Sequence, residues 1–527
     1  MGCNKSFEMA VTVKKKKQNM EQHCSKSLCF ITFLFLLLLV SIHILPKWIP
    51  SKSLPFLNFH PSNHRSNEQP ETLLRDGFNK DSCFSRYQFS NYHPHSPRGT
   101  PSYLTSKLRE YERRHVRCGP HSATYNKTAR YLSKDNEDGC DYLIWDGFNG
   151  LGNRMLSIAS AFLFAVLTDR VFLTYQEADM NRLFCEPFFN SSWVLPSDFP
   201  LYHNLRDPHF IHSRSFGTLL SSSTNNSTPQ CLFLYLSYDY GDPDKKFYLD
   251  QHQAFLQRVP WLILVSDQYF APYLFTIEQY KHELERLFPE KESVFHFLGR
   301  YLFHPSNEVF GLITRFFRAY MEKHDERIGL QIRIVEPKRS PHSLVIDRLW
   351  DCVHAAEILP RVGDVASPNR NSSSKGVLVT SLYSEYYEQL KETYMRKDTL
   401  RGEVVGVYQP SHELFQHFGD INHNMKALAE IYLLSTCDVL LTSSWSTFGY
   451  VAHSMAGLKP WIFYVPVADD SSSVKQCRRA MSVEPCFHYP PYYDRKTGRM
   501  NNGSSLEAFH MHCEDVDWGV KLVHIDH

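Results

Sequence analysis

Alternating strand and helix signals predict an α/β chain with two Rossmann-like lobes facing a cleft. Three observations carry that expectation. First, "DYLIW", a glycine-rich loop, a long apolar helix and "RVFLTY" follow one another from residue 141, which reads as a βαβ unit with parallel strands. Second, the later half repeats the alternation: "RIGLQIRIV", "GVLVTS", "EVVGVYQ", "VLLTSSW" and "KPWIFYV" read as strands, with helical stretches between most of them. Third, the pattern breaks near residues 320–328. With 527 residues, 43% of them hydrophobic, the chain can fill two such cores.

The order of elements begins with a different kind of segment. Lys14, Lys15, Lys16 and Lys17 form a basic run, and "LCFITFLFLLLLVSIHIL" follows at residues 28–45. Eighteen helical residues cover about 27 Å at 1.5 Å each, enough for a thinner bilayer. The lysines before it favour a cytosolic N-terminus. A cleaved signal peptide is the rival reading, but "LPKWIPSK" offers no small-residue cleavage site. The expected layout is a cytosolic tail (1–27), a transmembrane anchor (28–45), a Ser/Pro/His/Asn-rich stem (46–100), a first lobe (101–325) and a second lobe (326–527).

The body then belongs in the lumen of the secretory pathway. Acceptor sequons at Asn126, Asn190, Asn225, Asn226, Asn371 and Asn502 agree, as do ten cysteines beyond the anchor. No CxxC pair occurs, and spacing leaves the pairing open. A net charge of +1 and the lack of a basic face argue against a nucleic-acid partner.

Within the first lobe, Gly147, Gly150 and Gly152 crowd the mouth of a helix, and Arg154 follows. Glycines permit positive φ or close backbone approach. A fresh helix start carries unpaired N–H groups and partial positive charge, which suits an anion. Arg154 would add a forked donor for phosphate oxygens. A plain strand-to-helix turn with a solvated arginine fits the same residues. "WLILVSDQYF", which ends this lobe's strand series, includes Asp267.

In the second lobe, Ile328, Leu330, Ile332 and Ile334 alternate onto one face, and Gly329, Gln331 and Arg333 take the other. A guanidinium at the end of an apolar strand needs a partner. That partner is either a ligand in the cleft or a core carboxylate. Ser443, Ser444, Ser446 and Thr447 cluster between a strand and a helix. They read as a second phosphate cradle or as a simple helix cap. "DPD" at 242–244 and "DVD" at 515–517 match the DxD pattern of metal-dependent sugar transferases, though such triplets also arise by chance.

Four stretches in order resemble the plant xyloglucan-type (galactoside 2-α-L-) fucosyltransferase family: "GLGNRMLSIASAFLFAVLTDRV", "IGLQIRI", "LLTSSWSTFGYVAHSMAGLKPWIF" and "EPCFHYPPYYD". The resemblance runs from about residue 141 to the C-terminus. It implies a variant GT-B glycosyltransferase fold and a single-pass type II Golgi membrane enzyme with no metal or other cofactor. The implied reaction is inverting transfer of L-fucose from GDP-β-L-fucose to galactose, at O-2, of a cell-wall glycan. By position, Asn153 and Arg154 match the first motif's polar pair. Arg333 matches an arginine shared among GDP-fucose transferases, and Ser444, Ser446 and Thr447 match the third motif. Asp267 and Asp515 lie in family-like stretches and are candidate bases. "AHSMAGLKPW" and "IRIVEPKRS" depart from the common pattern and leave the acceptor open. Two alternatives stand beside this reading: a silent glycan-binding scaffold on the same fold, and a metal-dependent transferase using another nucleotide sugar.

Overall fold

The computed structural model describes residues 73–92, 99–132, 139–175, 177–221, 228–363, 373–468, 477–491 and 507–524, which lie within one compact unit spanning residues 69–527. The expected tail and anchor, most of the stem, and the sequons at Asn225, Asn226, Asn371 and Asn502 lie outside the described residues. Among the described residues no helix is long and apolar enough to cross a membrane.

Four parallel strands form the first sheet: β1 (Tyr142–Asp146), β2 (Val171–Thr174), β3 (Cys231–Leu236) and β4 (Trp261–Ser266), in the order β2-β1-β4-β3. Helix α1 (Leu151–Leu167) makes the crossover from β1 to β2. A helix apolar nearly all round must be covered on every side. Fifteen of its seventeen residues are buried, because helices of the second lobe pack onto the side that the first sheet leaves open.

Between the sheets, α2 (Val294–Leu302) and α3 (Asn307–Phe316) run into a short π-helical turn at Phe317–Met321. The second sheet follows at once. It holds β5 (Glu326–Gln331), β6 (Ser374–Thr380), β7 (Val404–Tyr408), β8 (Val439–Ser443), β9 (Trp461–Phe463) and β10 (Arg478–Arg479). Their order is β10-β9-β8-β5-β6-β7, and only β10 is antiparallel. Four helices flank it: α4 (His342–Ala355), α5 (Glu385–Arg396), α6 (Ile421–Ser435) and α7 (Thr447–Ala456).

Two cores result. Ile328, Leu330, Ile332 and Ile334 all enter the apolar cluster on one face of the second sheet. On the other face, Gly329 admits α6: a Cβ there would meet Leu440 at 2.6 Å and Leu434 at 2.8 Å. That second face merges with the first lobe, so α1, α2, α6 and α7 share one continuous core. The C-terminal segment also crosses back to the first lobe. His510 Nε2 bonds the Pro272 carbonyl at 2.8 Å, and Glu484 accepts from the Phe295 N–H at 2.8 Å. Four disulfides pin the body: Cys83–Cys185, Cys118–Cys140, Cys352–Cys477 and Cys486–Cys513. Cys231 and Cys437 are buried thiols.

Candidate active site

The carboxyl ends of β5 and β6 open onto a cavity that also touches the starts of α1 and α7. Crevices of this kind, beyond the strand ends of a parallel sheet, are where such folds take ligands. Gly150, Gly152 and Asn153 supply the first-lobe wall, and Arg333, Glu430 and Thr447 supply much of the opposite one.

Two helix starts meet here. Gly150 caps α1 with φ −66°, so it needs no left-handed freedom. The positive φ in this loop belongs to Asn149, at 66°, whose amide donates to Asp267 Oδ2 at 2.7 Å. Gly152 serves close approach instead. A Cβ on it would lie 2.7 Å from the Thr447 carbonyl carbon and 2.8 Å from the Phe448 nitrogen. Ser446, fully buried, caps α7 by accepting from the Gly449 N–H. Thr447 Oγ1 then donates to Asn153 Oδ1 at 2.9 Å, which ties the α7 start to the α1 start. Two partial positive charges therefore converge on one space.

Arg333 stands beside them, two residues past β5. Its backbone N–H donates to Ser443 Oγ at 2.9 Å, and Ser443 Oγ donates to the Gln331 carbonyl at 3.1 Å. That clamp fixes the arginine's Cα. Its guanidinium, by contrast, meets no carboxylate among the described residues, and burial alone lowers its pKa. The core salt bridge that the sequence left open is absent there. Nearby, burial and then the Arg333 charge hold His488 neutral, with its pKa down to about 3.

The other candidates take varied places. Arg154 is buried and lines a neighbouring open cleft with Tyr175, Tyr202 and Arg206, not the space beside Arg333. The two cavities share Gly150, Gln416 and Asn424. Ser444 bonds the Phe463 carbonyl through its N–H at 2.8 Å and lines neither cavity. Asp267, 3% exposed, accepts from Asn149, from Ser237 Oγ at 3.1 Å and from Gln268 Nε2 at 2.8 Å. Asp515 Oδ2 accepts from the Trp445 N–H at 2.8 Å and the Tyr450 hydroxyl at 2.6 Å. Burial pushes its carboxyl above the usual range, against those two bonds. In the "DPD" triplet, Asp242 pairs with Lys245 at 3.1 Å and Asp244 Oδ1 accepts from the Gly217 N–H at 3.1 Å. Asn126 and Asn190 are exposed, as glycan acceptors must be.

Several residues at the cavity carry little signal in the sequence. Ser443 sat in the hydroxyl cluster, but nothing local marked it as the Arg333 clamp. Glu430 lies on α6 in a run that reads as an ordinary amphipathic helix. It is 8% exposed, and burial raises its carboxyl to about 8.

The family model for xyloglucan fucosyltransferase matches residues 57–496. A galactoside 2-alpha-L-fucosyltransferase of Pisum sativum is 48% identical over 86% of this chain and 81% of its own length. The Arabidopsis thaliana protein of the same description is 47% identical over 86% of this chain and 82% of its own. A solved mutant of Arabidopsis thaliana FUT1 in complex with GDP superposes with a TM-score of 0.80 at 46% identity, covering 86% of this chain and 99% of that one.

Proposed function

Because the chain belongs to the xyloglucan fucosyltransferase family, we propose that it transfers L-fucose from GDP-β-L-fucose to O-2 of a galactose on a cell-wall glycan, inverting the anomeric centre. The observation that carries this reading is Arg333, a cleft-facing guanidinium with no carboxylate partner among the described residues, set beside two converging helix starts.

In this reading the cavity holds the diphosphate. The acceptor hydroxyl attacks the anomeric carbon from the face opposite the GDP. The bond from that carbon to the phosphate oxygen breaks, and negative charge builds on the departing diphosphate. Arg333 and the N–H groups at the α1 and α7 starts stabilise that charge as fixed, preorganised donors. They take the place a bound cation would fill. The hydroxyl proton passes to a carboxylate, and Asp267 and Asp515 are the candidates. Burial raises the Asp515 carboxyl, a direction that suits a proton acceptor. Arg154 shapes the neighbouring cavity that opens from the same loop. Four disulfides and the exposed sequons suit a luminal body on a Golgi anchor.

The test is to incubate the full chain with GDP-fucose and a panel of galactose-terminated wall glycans, with and without a chelator. The expected product carries α-linked fucose at O-2 of galactose, and chelation leaves the rate unchanged. No transfer to any galactose-terminated acceptor would overturn the reading, and loss of activity on chelation would overturn its metal-free part.

A further inference from the structure

Five aromatic rings from four separate segments run in an unbroken series along the Arg333 side of the body. Tyr238, just past β3, lies 6.3 Å from Tyr489, and Tyr489 lies 6.4 Å from His488. His488 lies 6.1 Å from Trp445, just past β8, and Trp445 lies 6.0 Å from Trp518, edge to face at 87°. Three of the five are open to solvent: Tyr238 at 50%, Trp445 at 48% and Trp518 at 46% exposure. Large rings left open in a row cost solvation, and they recur where a ligand covers them.

One ring of the row, Trp445, is held under strain. Trp445 has φ 54°, a conformation that bulky residues rarely adopt and that persists only where the surroundings enforce it. Here a directed chain of hydrogen bonds enforces it. The indole Nε1–H can only donate, so it donates to His488 Nδ1 at 3.2 Å. The His488 Nε2–H then donates to the Tyr450 hydroxyl at 3.2 Å, which donates to Asp515 Oδ2 at 2.6 Å. The Trp445 backbone N–H reaches the same oxygen at 2.8 Å. With its N–H consumed, the indole keeps only its carbon face for a partner.

We infer that Tyr238, Tyr489, Trp445 and Trp518 form a track that binds the acceptor glycan by stacking sugar C–H faces on aromatic rings, and that the occupant is an uncharged, galactose-terminated chain. The inference rests on the glycan-transferring function proposed above and deepens it. Continuity with the reaction site selects a glycan. The row passes His488, whose imidazole feels the Arg333 charge, and Tyr489, whose phenol is raised by burial and then by the charge of Asp267. A chain lying on it therefore delivers its end to the carboxylates and the guanidinium together. The flanking charges select its chemistry: Asp267 beside Tyr489 and Asp515 beneath Trp445 repel uronate-bearing chains. Asp515 is then a positioning residue for Trp445 as well as a candidate base.

The full chain, titrated calorimetrically with a neutral galactosylated oligosaccharide, with a uronate-bearing one and with GDP, tests this. Trp518→Ala and Tyr238→Ala should each weaken the neutral oligosaccharide roughly tenfold. Tyr238→Phe, which keeps the ring, should bind it like the wild type, and GDP affinity should stay within about twofold throughout. Unchanged oligosaccharide affinity in both alanine variants, with normal melting curves, overturns the track while leaving the GDP reading intact. Tighter binding of the uronate-bearing chain overturns the assigned occupant. Track-dependent oligosaccharide binding in a wild type that ignores GDP supports the track and refutes the donor.

Discussion

Arg333 and Glu430 line the same cavity, and their charges must not cancel. Burial leaves Arg333 cationic but poorly solvated, eager for an anion. Burial raises Glu430 to about 8 against a hydrogen bond from Ser411 Oγ; Glu413 raises it further and Lys426 lowers it. Near pH 7 its carboxyl is therefore mostly neutral and does not repel a diphosphate. A folded-state pKa above the unfolded one means the folded chain holds an extra proton between about 4.5 and 8, so Glu430 erodes stability as pH rises through that window. Above about 8 the ionised carboxylate also opposes donor binding. Glu430→Gln should flatten both dependences, with melting temperature and GDP affinity that fall less from pH 6 to 9 than in the wild type. Identical pH profiles in variant and wild type would refute this role. Arg333 was legible in the sequence because a charge on an alternating apolar strand demands an explanation. Glu430 was not, because its burial depends on the 411–416 loop, more than a dozen residues away in sequence, folding over α6.

At the scale of elements, the account depends on two helix starts touching. The sequence made both starts readable: glycines before α1 and hydroxyls before α7 are local signals. It did not say that the two would meet. That contact arises because an all-round apolar α1 needs cover, and α7 supplies it from more than 280 residues away. The glycines also turned out to act differently from one simple expectation. Left-handed backbone sits at Asn149, while Gly152 is small so that the Thr447 backbone can approach. Gly152→Ala should push the two starts apart, costing about 1–3 kcal/mol of stability by overpacking and at least tenfold in GDP affinity. Denaturant unfolding and GDP calorimetry measure the two effects, and an alanine variant that keeps both native values would show that the close approach does not matter.

For the molecule as a whole, the alternating pattern predicted both parallel sheets, and the break near 320–328 fell where the π-helical turn leads into β5. The return of the C-terminal segment to the first lobe was hidden. Its strands are only three residues long, and a disulfide between Cys486 and Cys513 orders it in place of a long periodic element. That return matters, since it carries His488 and Asp515 to the Arg333 side of the cleft. The whole arrangement amounts to a preorganised anion site assembled from both lobes, with Arg333 at its centre. Calorimetric titration of GDP into the wild type and Arg333→Ala, both checked for native melting, tests that claim most directly. The account predicts clear GDP binding by the wild type and a loss of at least tenfold in the variant; equal affinity in the two proteins would contradict it.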